Sequence, residues 1–329
     1  PMREIKPNEI IINAKGETRR VSAQERTLYQ DKKTPIVDEK RILRHLQEAQ
    51  ALKREMDIGQ REATVEIKAQ YPDQPAMVWL WCDSHLGSTA VDYEAFLHDY
   101  NAVMETPNFF AISNGDLIDN FMVGGNSAPG TYEDPITPQQ QALLIQKLYK
   151  KLDDSGKLLA SSWGNHENFL KYSGYSFEGT WLRDLKAPIL NCGGLLKIRY
   201  GEQEYKLAIT HYFWSKSHLN LTLAAKRFME HEYPEADIAF TAHSHLKSFE
   251  KFRKGGRDLV AVSGGSYKPN DEFLPTHGQG FRNYTIGGIV LALYPDQHNV
   301  IPLYNVDEGL RFYEAERGLH KELEKRSVK

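Results

Sequence analysis

The stretch that decides the fold runs from Ala76 to His85, AMVWLWCDSH. Six apolar residues follow one another and then give way to Cys82-Asp83-Ser84-His85. A short, unbroken apolar run closed by polar turn residues reads as a strand buried on both faces. The same pattern recurs along the chain. FFAIS (109–113) runs into Asn114-Gly115-Asp116, with Asp119 three residues on. KLLASSW (157–163) runs into Gly164-Asn165-His166-Glu167, KLAIT (206–210) ends in His211, and IAFTA (238–242) ends in His243-Ser244-His245. Between the first three runs, segments 91–104 and 137–153 carry helical spacing. Strands alternating with helices predict crossover units on a largely parallel sheet.

Working outward, the later half changes character. Segments 194–200 and 203–210 read as a hairpin around Gly201 and Glu202, followed by a helix near 218–232. Strands then dominate, at 237–242, 247–253, 257–263, 284–294 and 298–304. These later strands suggest a second sheet packed on the first, and the expected class is α/β, with two packed mixed β-sheets flanked by helices and a core between the sheets. Towards the N-terminus, residues 38–57 read as a helix with Asp38 as its N-cap and one apolar stripe of Ile42, Leu46, Ala49, Leu52 and Met56. That stripe must bury against the body of the same chain, a partner or a second copy. The expected division is an N-terminal helical arm (1–62), a catalytic body (63–310) and a charged C-terminal tail (311–329).

Composition narrows the classes. The chain has 329 residues, of which 40% are hydrophobic and 26% charged, an ordinary globular balance. The cysteines, Cys82 and Cys192, are too few for a disulfide framework and fit a reducing compartment. No apolar run reaches the roughly 20 residues of a membrane helix, and the first ten residues, PMREIKPNEI, lack the apolar core of a secretory signal. The expectation is a soluble, cytoplasmic protein with no membrane contact. The formal net charge of -3 is not that of a protein built to grip long nucleic acid, so such binding would need a local patch. The one basic run, KSFEKFRKGGR (247–257), has five basic residues against one acidic. Its alternation suits a strand and turn with a solvated face; it could also attract a phosphodiester backbone.

Polar residues at strand ends are where α/β sheets gather ligands. The five ends found here, taken as parts of one sheet region, supply the carboxylates of Asp83 and Asp116, the imidazoles of His85, His211, His243 and His245, and the amide of Asn165. Imidazole suits zinc, manganese, iron or nickel, whereas magnesium or calcium alone calls for an oxygen-dominated set. Seven side chains exceed what one four-coordinate ion requires. Two divalent transition-metal ions sharing a carboxylate would use them all, manganese being the first expectation and iron, zinc or nickel the others.

The order Asp-x-His, Gly-Asp-x-x-Asp, Gly-Asn-His-Glu, a lone His and His-x-His resembles that of the calcineurin-like metallophosphoesterase superfamily, over roughly residues 76–304. The resemblance implies that superfamily's sandwich of two sheets. It implies one metal on Asp83, His85 and His245, a second on Asn165, His211 and His243, and Asp116 as the bridge. It implies His166 as the general acid, Asp119 as the carboxylate that orients it, and hydrolysis by a metal-bridging hydroxide. The chain departs in its last block, where Ala242 stands in place of the usual glycine, and Asn120-Phe121 stand where the protein-phosphatase branch has Arg-Gly. Val262–Ser266, VSGGS, looks like the start of the family's closing strands. The implied activity is hydrolysis of a phosphodiester, in nucleic acid or a nucleotide, with looser similarity to the nuclease and phosphodiesterase branches. The alternatives are a phosphomonoesterase acting on a small molecule or phosphoprotein, and a non-catalytic scaffold subunit. A homo-oligomer or a protein partner would dock through residues 1–62.

Overall fold

The computed structural model describes residues 10–12, 18–20, 39–56, 60–120, 134–169, 182–215, 217, 219–269 and 285–327. The chain separates into two units, Pro1–Met56 and Asp57–Lys329. In the first, strand β1 (Ile10–Ile12) pairs antiparallel with β2 (Thr18–Arg20). Helix α1 (Glu39–Met56) follows, with Glu39 in its first turn, where a negative charge complements the helix dipole. Ile42, Leu43, Leu46 and Leu52 on this helix are exposed.

The second unit contains, in chain order, β3 (Glu62–Glu66), β4 (Ala76–Trp81), α2 (Tyr93–Glu105), β5 (Phe109–Asn114), α3 (Pro138–Asp154), β6 (Leu158–Ser162) and the short α4 (Asn165–Asn168). It continues with β7 (Gly193–Tyr200), β8 (Gln203–Thr210), α5 (Leu223–Glu232), β9 (Ile238–Thr241), β10 (Ser248–Lys254), β11 (Arg257–Ser263), β12 (Ile289–Leu293), β13 (Val300–Leu303) and α6 (Val306–Ser327). Helix starts follow local chemistry. Asp92 caps α2 by accepting from the Ala95 N–H at 2.9 Å. Thr137 and Gln140 form a capping box at α3, with Pro138 at its first position, where the missing N–H costs nothing.

One sheet runs β13-β12-β4-β5-β6 and the other β10-β11-β9-β8-β7-β3. Both are mixed: β4, β5 and β6 lie parallel, while β12 pairs antiparallel with β4. Alternate residues of β4 serve two cores. Ala76, Val78 and Leu80 face the second sheet together with Phe240, Ile209 and Val262. Met77, Trp79 and Trp81 face the helices, against Phe96, Tyr149 and Tyr313. A strand with both faces covered needs apolar residues at every position, which is why AMVWLW reads as an unbroken run. A third core places Phe228 and Met229 of α5 on the outer face of the other sheet. The result is two packed sheets with helices outside each.

Two assignments differ from the sequence reading. Strands β12 and β13 return to the first sheet instead of extending the second. Every residue of β12 is buried, so it needs cover on both faces, and the place beside central β4 supplies it. Of the segment set apart above as a tail, residues 311–327 continue the helix that begins at Val306, and Tyr313 belongs to the helix-side core. Among the described residues no helix is long and apolar enough to cross a membrane.

Candidate metal centre

The five motif blocks sit where β4, β5, β6, β8 and β9 end. Three of these strands belong to the five-stranded sheet and two to the six-stranded sheet. The single sheet region expected from sequence is therefore corrected: the site lies across the sandwich. Asn114 clips the two sheets together. Its Nδ2 donates to the carbonyls of Thr210 (3.0 Å) and Phe240 (3.3 Å), and its Oδ1 accepts from Ser162 Oγ at 2.8 Å.

Backbone conformation aims the side chains. Asp83, His85, Asp116, His243 and His245 all adopt positive φ, between 46° and 68°. Outside glycine this region is uncommon, and Asp, Asn and His tolerate it best. Such residues cost of order 1–3 kcal/mol each and gather at functional sites. Between the paired residues, Ser84 turns away to donate to the Leu117 carbonyl and Ser244 meets Ser263. Ala242 does not occupy the left-handed region, so the departure from glycine brings no strain. Close approach of two turns is what requires glycine here. A Cβ on Gly115 would lie 2.2 Å from the Gly164 nitrogen, and one on Gly164 would lie 2.2 Å from Asp116 Oδ1.

Asp83, His85 and His245 bring ligand atoms within 4.8 Å of one another, and so do Asp116, His211 and His243. His85, Asp116 and His166 form a third such group between them. His85 Nε2 and His245 Nε2 stand 3.0 Å apart, and His245 Nε2 is 3.4 Å from Asp83 Oδ1. Asp116 Oδ2 lies 3.0 Å from His211 Nε2 and 3.9 Å from both His243 Nδ1 and His166 Nε2. Six of the expected ligand residues thus sit together, and Asn165 is next in the chain to His166, whose N–H donates to Asp116 Oδ1 at 2.9 Å.

The donor set fits divalent metal on three observations. The side-chain oxygen of Asn165 is buried and makes no hydrogen bond, and Nε2 of His211, also buried, faces the Asp116 carboxylate at 3.0 Å without hydrogen-bond geometry. Buried polar atoms normally find partners, so these two call for one. Second, ring protons are fixed on the far side. His211 Nδ1 donates to the Asn114 carbonyl at 2.7 Å and His85 Nδ1 lies 3.0 Å from Asp119 Oδ1, so each ring turns its Nε2 towards the cluster. Third, the buried acids demand positive charge. In the metal-free site burial opposes protonating His211, but the Asp116 carboxylate outweighs it and raises that imidazole to about 10, so a proton there supplies the positive charge that an ion would supply in its place. Burial and the neighbouring His166 hold His85 down to about 4, the neutral form a ligand needs.

Asp119 departs from its expected role. Its carboxylate lies 3.0 Å from His85 Nδ1 and accepts from Lys268 Nζ with both oxygens, at 3.1 and 3.0 Å. The group facing His166 Nδ1 is the backbone carbonyl of Asp119. A carbonyl needs no charge to accept, so the carboxylate is left to balance Lys268 and align His85.

Three participants were missed in the sequence. Lys268, only 2% exposed, meets Asp119, which is 0% exposed, and the sequence reading stopped two residues short of it at Ser266. Glu167 was quoted within its motif without a role. Its carboxylate accepts from the backbone N–H groups of Asp116 (2.9 Å), Leu117 (2.7 Å) and Gly164 (2.8 Å), tying two turns together. Asp134 accepts from Gln141 Nε2 at 3.0 Å and lies close to Asp119. Burial and then the charge of Asp119 push its carboxyl up to about 7.

Other candidate features resolve differently. Basic run 247–257 forms the β10–β11 hairpin, and its cations have partners in the chain. Lys247 Nζ donates to the Ile286 carbonyl, Lys251 to Asn299, Lys254 pairs with Glu230 and Arg257 with Asp237. Two further sequence candidates, the glycine- and proline-rich segment 121–136 as a lining of the substrate cleft and the aromatic segment 168–184 as a surface for stacking a base, lie mostly outside the described residues.

No protein-family model and no curated protein matches the sequence. Among solved structures the chain is similar to a predicted phosphoesterase from Streptococcus pneumoniae, with 14% identity over 70% of this chain and 90% of that one and a TM-score of 0.33. It is similar to a metallophosphoesterase from Sphaerobacter thermophilus, with 15% identity over 73% of this chain and 94% of that one and a TM-score of 0.34. Vacuolar Protein Sorting 29 from Cryptosporidium parvum matches with 12% identity over 70% of this chain and 98% of that one, at a TM-score of 0.36. In the order of its motif blocks, in its two-sheet sandwich and in the meeting of those blocks at one cluster of His and Asp, the chain resembles the calcineurin-like metallophosphoesterase superfamily.

Proposed function

We propose that the chain hydrolyses a phosphodiester with two divalent metal ions, one held by Asp83, His85 and His245, the other by Asn165, His211 and His243, with Asp116 between them. The observation that carries this reading is the pair of adjacent ligand groups with His166 beside both. Bound there, two ions supply positive charge to both the attacking and the leaving oxygen of a phosphoryl transfer. Manganese suits the mixture of imidazole, carboxylate and amide oxygen, with iron, zinc and nickel as the other candidates.

The chain's own residues do the rest. Asp119's carbonyl can only accept, so it keeps a proton on His166 Nδ1. Nε2 is then the atom that gives a proton to the leaving oxygen and recovers one afterwards. Asn120 steadies this helix turn, its Nδ2 donating to the His166 carbonyl at 2.5 Å. Lys268 and Asp119 keep His85 in the tautomer that ligates.

Chelator-treated protein should be inert, and manganese should restore hydrolysis of bis-p-nitrophenyl phosphate. His166→Ala should lose about 100- to 10,000-fold in turnover, the span of general acid–base catalysis, while binding the same number of ions. No turnover with manganese, iron, zinc or nickel, despite full loading, would reject the reading in favour of a scaffold. Faster turnover of p-nitrophenyl phosphate than of the diester would make the protein a monoesterase.

A further inference from the structure

Beside the His211 and His243 pair the chain holds two large aromatic side chains outward. Directly after His211, exposure alternates: Tyr212 is 50% exposed and Trp214 63%, whereas Ser215 is buried. Phe213 between them turns inward and packs on Phe228 of α5, the rings 5.4 Å apart. Tyr212 stands edge-on to the ring of His243 at 5.1 Å, so this outward face borders the metal cluster. Trp214 is braced as well as uncovered. The guanidinium of Arg227 lies 5.5 Å from its ring centroid, and Arg227 Nη1 donates to Ser215 Oγ at 3.0 Å. By contrast, Trp79, Trp81 and Trp163 are buried.

Leaving an indole in water forgoes the favourable burial of a large apolar surface. A flexible loop could fold such a ring away. Here both chain neighbours of Trp214 are anchored, Phe213 on Phe228 and buried Ser215 on Arg227. A flat, amphipathic, preorganised ring beside a phosphate-handling centre matches the way single-stranded nucleic acids are held, by stacking of bases on aromatic faces. A guanidinium behind the ring strengthens stacking and offers donors to a neighbouring phosphate. Bases within a duplex are already stacked on one another and cannot use such a ring.

We propose that Tyr212 and Trp214, backed by Arg227, form a stacking platform for an unpaired nucleobase of a single-stranded nucleic acid or nucleotide whose phosphodiester lies at the His/Asp cluster. This rests on the phosphodiesterase reading above and narrows its substrate. The base of the nucleotide beside the scissile phosphate stacks on Trp214, and Tyr212 closes the gap between that base and His243.

The test is binding of a fluorescein-labelled oligothymidylate to the full chain by anisotropy, with chelator present so that binding is read without turnover. An oligonucleotide of about ten residues falls within the span one such site covers. Trp214→Ala should weaken binding about 5- to 150-fold, the range of one lost base stack, and Trp214→Phe should restore most of it. A duplex of equal length should bind more weakly and be indifferent to Trp214→Ala. Unchanged oligonucleotide affinity in Trp214→Ala overturns the proposal, as does a duplex that depends on Trp214 equally. A fall in oligomeric mass without any change in nucleic-acid affinity also overturns it, and makes this face a contact between copies. The two readings fail separately. Turnover of diesters with no Trp214 dependence of binding removes the platform alone; Trp214-dependent binding with no turnover under any metal removes the catalytic reading alone.

Discussion

Replacing Lys268 by Met removes a charge from the interior while keeping the length and apolar stem of the side chain. Lys268 Nζ contacts both oxygens of Asp119, at 3.1 and 3.0 Å, and the two side chains are 2% and 0% exposed. Removing one partner of a buried ion pair leaves the other uncompensated and costs about 3–5 kcal/mol. The neighbours sharpen this. Asp119 also faces Asp134, whose carboxyl burial and the charge of Asp119 already push up to about 7, so a further unbalanced negative charge has poor surroundings. A domain holds about 5–15 kcal/mol in total, so the variant should fold but unfold in urea at a midpoint lower by roughly 1 M or more. The companion variant Lys268→Met/Asp119→Asn removes both charges. Its destabilisation should fall short of the sum of the single changes by about 0.5–3 kcal/mol, the range seen for residues in contact. Asp119 aligns His85, so isothermal titration of the metal-free protein should show one ion bound about 10- to 100-fold more weakly in Lys268→Met, the usual cost of losing such outer support. A stability loss below about 1 kcal/mol would refute the buried-pair argument. Unchanged or tighter ion binding would refute the role of Lys268 in positioning His85.

Three further outcomes are expected. Gly164→Ala should disable the site, because its Cβ would stand 2.2 Å from Asp116 Oδ1; metal titration should show loss of an ion, and wild-type binding would contradict the packing. Asn114→Ala removes donors to two carbonyls of the other sheet and an acceptor for Ser162. At about 1–3 kcal/mol for each buried group left unpaired, its urea midpoint should drop well below that of a surface control such as Lys186→Ala. Lys157 donates to the carbonyls of Thr106 and Phe109, and burial lowers its ammonium to about 8. The unfolded chain therefore binds more protons than the folded one between about pH 8 and 10.5, and over that window Lys157 makes stability rise with pH. Urea midpoints at pH 7.5 and 9.5 should show that contribution in the wild type and its loss in Lys157→Met; equal pH dependence of the two would refute it.

The chemistry was legible because metal-site residues must sit in turns that close strands, and both parts leave local marks. An unbroken apolar run such as AMVWLW declares a strand covered on two faces, and the Asp, Asn and His that follow declare a polar strand end. Turns at Asp83, His85, Asp116, His243 and His245 use positive φ, which those residue types accept most readily among the non-glycines, so residue identity encodes local backbone as well as ligand chemistry. The helices were legible for the same reason: the Thr137–Gln140 box and the stripe on residues 38–57 lie within a few residues of what they control.

What the sequence by itself determined is therefore the class of fold, most of its strands and helices, and the Asp, Asn and His residues that close the strands. Only the tertiary structure decided that the set spans both sheets, that β12 sits beside β4, and that Lys268 finds Asp119 across 149 residues of chain. It also decided that Asp119 serves His166 with its carbonyl and His85 with its carboxylate. The physical reason is a difference in range. Strand periodicity, caps and turn conformations are set by neighbours along the chain. The partner of a buried charge is set by which groups packing brings within about 3 Å, and that distance is fixed by the whole sandwich closing at once.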